Sequence, residues 1–158
     1  MPFDVRVEAH VARPPEAVAA YMFDPSHDPD WITGIEQVDP PASPVGVGTE
    51  THRIARFMGR RIEYVLKVIE YVPDRLLVMG SVRAPFPMGV TYGVEPDGSG
   101  SRVRLRVTGG YGLLMRVAQP ILSRQVRGSL EADIRHLRGR LEGTAVNRGT
   151  PEPAGGGK

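Results

Sequence analysis

The sequence predicts an α+β domain in which a curved antiparallel sheet of six to seven strands wraps around a long C-terminal helix, with one or two short helices after the first strand. Three observations lead there. A strand and a helix open the chain; four or five strands follow, joined by connections too short for crossover helices; and the last third switches to one long helical period.

The run "FDVRVEAHV" alternates, with Val5, Val7, Ala9 and Val11 on one side and Arg6, Glu8 and His10 on the other, as a half-buried strand does. In "RPPEAVAAYMFD", Pro14 and Pro15 suit a helix start, and Val18, Tyr21 and Met22 follow at helical spacing. "TETHRIARFM" then meets "RRIEYVLKVIEYV" across Gly59, and Pro73-Asp74 turns the chain into "RLLVMGSVRA". "MGVTYGVE" and "SRVRLRVTG" are joined by "PDGSG", whose Asp97-Gly98 is a strong hairpin signal. In the last strand Val103, Leu105 and Val107 face one way and Arg102, Arg104 and Arg106 the other. From Leu113 to Leu141 the period is helical, with Leu122, Val126, Leu130, Ile134, Leu137 and Leu141 as its stripe. Pro120 predicts a kink or break there. A sheet with one apolar face must cover it, and only this helix is large enough. The sheet's curvature then leaves room for a cavity between them.

At 158 residues the chain fits one domain, placed at 1–142, with a Gly/Pro-rich tail at 143–158 expected to be disordered. No cysteine is present, which removes disulfides, thiolate nucleophiles and cysteine-based zinc sites. No apolar run approaches the roughly 20 residues that span a bilayer, so stable membrane insertion is not expected. The opening lacks a basic segment followed by an apolar one, so no signal peptide is read there and a cytoplasmic location is expected. Net charge is +2, and Lys67 and Lys158 are the only lysines. A balance this close to zero does not point to nucleic acid as a partner. Arg124, Arg127, Arg135 and Arg138 form an arc beside the apolar stripe and read as a solvated outer face.

Several pieces together resemble a known family: "RPPEAV" after the first strand, "DPDWITGIEQV" beyond the first helix, "GVGTE" opening a strand, "VIEYVPDRLL" across a turn, "PDGSGSRVRLRV", and the arginine- and leucine-rich final helix. In this order, over Phe3 to Glu142, the chain resembles the SRPBCC or START-like superfamily with the helix-grip fold, and within it the polyketide cyclase/dehydrase and lipid transport branch. That resemblance implies a pocket for an apolar or aromatic ligand such as a lipid or polyketide. In a few relatives it implies cyclisation and dehydration of poly-ketone chains. It assigns no catalytic residue to these positions and implies no cofactor.

The most chemical-looking stretch is "DPSHDPDWITGIEQV", where His27 lies among Asp24, Asp28 and Asp30. Pro25 and Pro29 stiffen the run, and the acids read as turn and cap residues, with Asp28 or Asp30 capping a short helical turn near Trp31. No metal site is assigned, since the histidines form neither HxH nor HExxH. No GxSxG elbow is present. "GVGTET" lacks the third glycine of a dinucleotide loop and leads into a strand.

What remains is pocket chemistry. Alternation places Tyr64, Leu66 and Val68 on one face of their strand, and Val90, Tyr92 and Val94 on one face of theirs. The expected ligand-binding residues are Tyr64, Leu66, Val90, Tyr92, Trp31, Leu114 and Ala118, the last two from an all-round apolar segment. On "THRIARFM" either His52, Ile54 and Met58 face inward, or Thr51, Arg53 and Phe57 do; a one-residue bulge exchanges them. If inward, His52 is the candidate general acid/base, since its free pKa lies near neutrality. Arg83, at a strand end, is a candidate for holding a carboxylate or enolate at the mouth. The expected activity is binding of a hydrophobic small molecule, with a polyketide cyclase/dehydratase using the same cavity as the alternative, in a monomer or homodimer without a cofactor.

Overall fold

A computed structural model describes residues 3–41, 43–57, 59–109 and 113–149, with side chains left out at 113–119 and 144–149. The order is β1 (Phe3–Val11), α1 (Pro15–Met22), a 3-10 turn at Pro25–His27, α2 (Asp28–Trp31), β2 (Ile35–Asp39), β3 (Glu50–Phe57), β4 (Arg60–Val72), β5 (Leu76–Arg83), β6 (Met88–Asp97), β7 (Gly100–Gly109) and α3 (Leu113–Gly149). The strands form one antiparallel sheet in the order β1-β7-β6-β5-β4-β3-β2, and α3 packs across its inner face against β1, β7 and α2. This is the α+β helix-grip architecture expected from the element order, with seven strands.

The strand the sequence passes over is β2. It has five residues, lies at the sheet edge, and carries Glu36 and Gln37 outward, so it shows little apolar alternation. Of the expected kink or break at Pro120, the break does not occur: α3 runs through Pro120 as one helix. Pro120 and Ile121 are exposed, so the proline ring meets water rather than packed neighbours. The helix also continues past Glu142 to Gly149, and residues 150–158 of the tail lie outside the described residues.

Register explains the core. Tyr92 stands opposite Leu105 on β7 and Leu77 on β5, while Val94 stands opposite Val103. Val94, Val103, Leu105 and Leu137 are almost fully enclosed; burying each such side chain contributes roughly 1.5–3 kcal/mol. The outward arginines of β7 meet acids of β1 and β6: Arg106 bonds Asp4, and Arg104 bonds Glu8 and Glu95. These exposed pairs are screened by water and contribute little stability, but they take the ladder out of use as an anion-binding surface.

Candidate functional site

Between α3 and the inner face of the sheet lies a cavity of about 140 Å³. Its walls are mainly apolar and aromatic, with Trp31, Phe57, Tyr64, Phe86 and Tyr92 among the lining side chains, and Val126 and Leu130 as its helix side. Five of the expected residues, Trp31, Tyr64, Leu66, Val90 and Tyr92, come together in this lining. The side chains of Leu114 and Ala118 lie outside the described residues. Trp31 is 1% exposed and meets the Tyr92 ring edge-on at 5.5 Å. Its indole Nε1 is buried without a hydrogen-bond partner among the described residues.

The structure settles which face of β3 is inward. Thr51, Arg53 and Ala55 are buried, and Arg53 stands opposite Tyr64 in the β3–β4 register. His52 points to the outer face, where Nδ1 lies 2.9 Å from Asp39 and Nε2 3.5 Å from Glu63. The hydrogen bond to Asp39 raises its pKa, and it does not line the cavity. The acid/base role that depended on an inward His52 has no geometric support. Arg83 ends β5, exposed, and is also absent from the lining.

The inward Arg53 is 3% exposed, and its partner is Asp28, 1% exposed. Its Nε donates to Asp28 Oδ2 at 2.8 Å, Nη2 lies 2.8 Å from the same oxygen in the ion pair, and Nη1 donates to Thr51 Oγ1. Asp28 is therefore no cap: His27 holds the N-cap position of α2, and the Asp28 carboxylate turns inward to tie that helix to β3. Burial pushes the Asp28 carboxyl up to about 6 against the pull of the guanidinium. The other acids of the stretch do turn chemistry. Asp24 accepts from the Ser26 N–H, and Asp30 accepts from the Tyr21 hydroxyl at 3.4 Å. His27 stacks on the Tyr21 ring, with Nδ1 3.0 Å from the Tyr21 carbonyl oxygen.

A second buried acid was not anticipated. Asp133 of α3 lines the cavity at 4% exposure and accepts the Thr33 backbone N–H at 2.6 Å. Burial raises its carboxyl to about 6. The signal was present: positions 126, 130, 133 and 137 fall at helical spacing on the buried arc, so an acid at 133 faces the sheet. Tyr64 and Tyr92 share this electrostatic neighbourhood with both acids and with Arg53. Burial pushes the Tyr64 phenol up to about 12 and Tyr92 well up, so both remain neutral hydroxyls.

The loop between α2 and β2 closes one side. Thr33 is held by Asp133, and the Arg56 N–H donates to the Gly34 carbonyl at 2.8 Å. Gly34 has φ of +87°, and a Cβ there would run into the Arg56 carbonyl oxygen. Gly34→Ala is expected to cost roughly 2 kcal/mol or more, read as a lower urea midpoint. An unchanged midpoint would show that the loop yields freely.

These features are those of a helix-grip domain with a partly open, mostly apolar cavity. Structures of similar shape agree with the fold. A protein from Thermus thermophilus superposes with a TM-score of 0.78 at 19% identity, over 90% of this chain and 99% of its own. The Zhui aromatase/cyclase from a Streptomyces species gives 0.76 at 17% identity over 100% of both chains. A START superfamily protein from Mycobacterium smegmatis gives 0.76 at 16%, over 89% of this chain and 98% of its own. No curated protein matches the sequence. Among the described residues no helix is long and apolar enough to cross a membrane. The family model for polyketide cyclase/dehydrase and lipid transport matches residues 2–142, which takes in every strand and most of the helix that close the cavity. The chain belongs to the polyketide cyclase/dehydrase and lipid transport family.

Proposed function

We propose that the protein binds a compact hydrophobic or aromatic small molecule in the cavity between α3 and the sheet. The observation that carries this is the void itself, walled by aromatic and aliphatic side chains in a family whose description includes lipid transport. At about 140 Å³ the void is on the scale of a single ring; an engineered apolar cavity of about 150 Å³ holds benzene. Trp31 is the chain's only tryptophan and lies in the wall, so its emission reports occupancy directly. Toluene is expected to change Trp31 fluorescence saturably and to raise Tm, because it binds only the folded state. Ala55→Leu, which adds carbon into the void, is expected to abolish both responses in a folded protein. No response from the parent protein would sink the proposal.

A cyclase/dehydratase of poly-ketone chains is the second reading. Its support is that the lining holds groups able to move protons, Asp133 with a carboxyl near neutrality and the Tyr64 and Tyr92 hydroxyls. Similarity in shape to an aromatase/cyclase agrees with it. Volume opposes it, since sites for larger ligands measure roughly 300–1,000 Å³; a polyketide chain requires α3 to move away from the sheet. Turnover of a poly-β-ketone model compound that disappears in Asp133→Asn would establish it, and absence of turnover in the parent protein would remove it.

A further inference from the structure

The polar groups of the cavity wall are unbalanced in charge. Arg53 is a buried cation, but it is ion-paired with Asp28, to which its Nε donates, and its Nη1 donates to Thr51. The guanidinium is thus committed to a neutral pair. Arg56 also reaches the lining, from the mouth, where Glu36 holds its Nε at 2.8 Å. Asp133 has no cation bonded to it among the described residues: its hydrogen-bond partner there is the Thr33 backbone N–H. The wall therefore presents a buried carboxylate with spare acceptor capacity, in a lining it shares with the aromatic rings of Trp31, Tyr64 and Tyr92.

An anionic ligand entering this void would face Asp133 without a free cation to receive it. A cation, by contrast, would meet a desolvated carboxylate, whose charge-assisted hydrogen bonds are the strong ones, and ring faces that attract positive charge. We infer that the cavity selects compact aromatic ligands carrying an ammonium group, with Asp133 as the anchoring acceptor, and rejects carboxylates of the same size. This rests on the ligand-binding reading above and names the chemical class within it. Neither arginine is placed to hold a carboxylate or enolate here: Arg83, the one expected to do so, is exposed and outside the lining, and the inward Arg53 already has its carboxylate within the protein.

Benzylamine, benzyl alcohol and benzoate share a ring and differ mainly in the charge of the substituent. At pH 7.5, calorimetry and Trp31 fluorescence are expected to show benzylamine binding at least about tenfold more tightly than benzyl alcohol, with no saturable binding of benzoate. In Asp133→Asn, which keeps an acceptor for the Thr33 N–H, benzylamine is expected to fall to the affinity of benzyl alcohol. Equal affinities for all three, or a preference for benzoate, in the parent protein would overturn the inference while leaving the cavity a ligand site. Failure of all three to bind, with toluene still bound, would overturn it too. Failure of toluene as well would take the ligand-binding reading down with it. The parent-protein series decides the matter even if the Asn variant does not fold.

Discussion

Replacing Arg53 by methionine is expected to lower stability by about 3–5 kcal/mol, because it strands a carboxylate in the protein interior. Asp28 is 1% exposed, and among the described residues its carboxylate is hydrogen-bonded and ion-paired by Arg53. With the guanidinium gone, the acid must either remain charged in a low-dielectric site or take up a proton, and both states cost free energy relative to the pair. The loss also has a structural consequence, since Asp28 opens α2 and Trp31 closes it. Loosening α2 should expose the cavity wall, so a red shift of Trp31 emission is expected before global unfolding. Removing both partners, as in Asp28→Leu with Arg53→Met, should recover most of the loss, because two buried charges are replaced by apolar volume. Urea unfolding of the two singles and the double closes the cycle and gives the coupling. A loss below about 1 kcal/mol in the single variant would mean that water reaches the pair and that it is not a structural tie.

The same pair shows where sequence reasoning stops. Alternation located Tyr64, Leu66, Val90 and Tyr92, because β4 and β6 bury one clean apolar set each and a strand has only two faces. It failed on β3 for a definite reason. Both faces of "THRIARFM" carry a basic group and apolar neighbours, so no hydrophobic count separates them. What decides the register is a partner 25 positions away, and Asp28 in a Pro-rich run has the local look of a cap. Trp31 was readable as a packed residue since a large ring seldom stays in solvent. Asp133 was readable in principle from its place on the apolar arc of α3, but a charged residue among the seven arginines and two glutamates of one helix draws no notice without the sheet opposite it. Long-range charge pairing is a property of the fold, and no spacing rule along the chain encodes it.

Asp133 supplies the other large effect, and its sign runs opposite to that of a salt-bridged acid. Its carboxyl rises from the ordinary 3.8 to about 6 on folding, so between these values the native state binds more protons than the unfolded chain. Stability linked to this group is full below about pH 4 and is lost as pH rises through about 6. The interval corresponds to roughly 3 kcal/mol. The groups that face it do not cancel the cost: the Thr33 N–H and His136 favour the ionised form, while Tyr64 and Tyr92 present neutral hydroxyls. Asp133→Asn is therefore expected to be about as stable as the parent at pH 4 and more stable by up to roughly 3 kcal/mol at pH 7.5. Urea midpoints at pH 4, 5.5 and 7.5 test this, and the difference between the two proteins isolates Asp133 from Asp28, which both retain. A difference that does not change with pH would show that the carboxyl titrates alike in both states. If the difference grows as expected, the protein keeps at 133 an acid that weakens it under neutral conditions, where an amide of the same shape would not. Retention at a cost is what a binding group shows and a packing group does not. A cation seated against Asp133 offsets that cost, so benzylamine should stabilise the parent protein more at pH 7.5 than at pH 5, and the Asn variant equally at both.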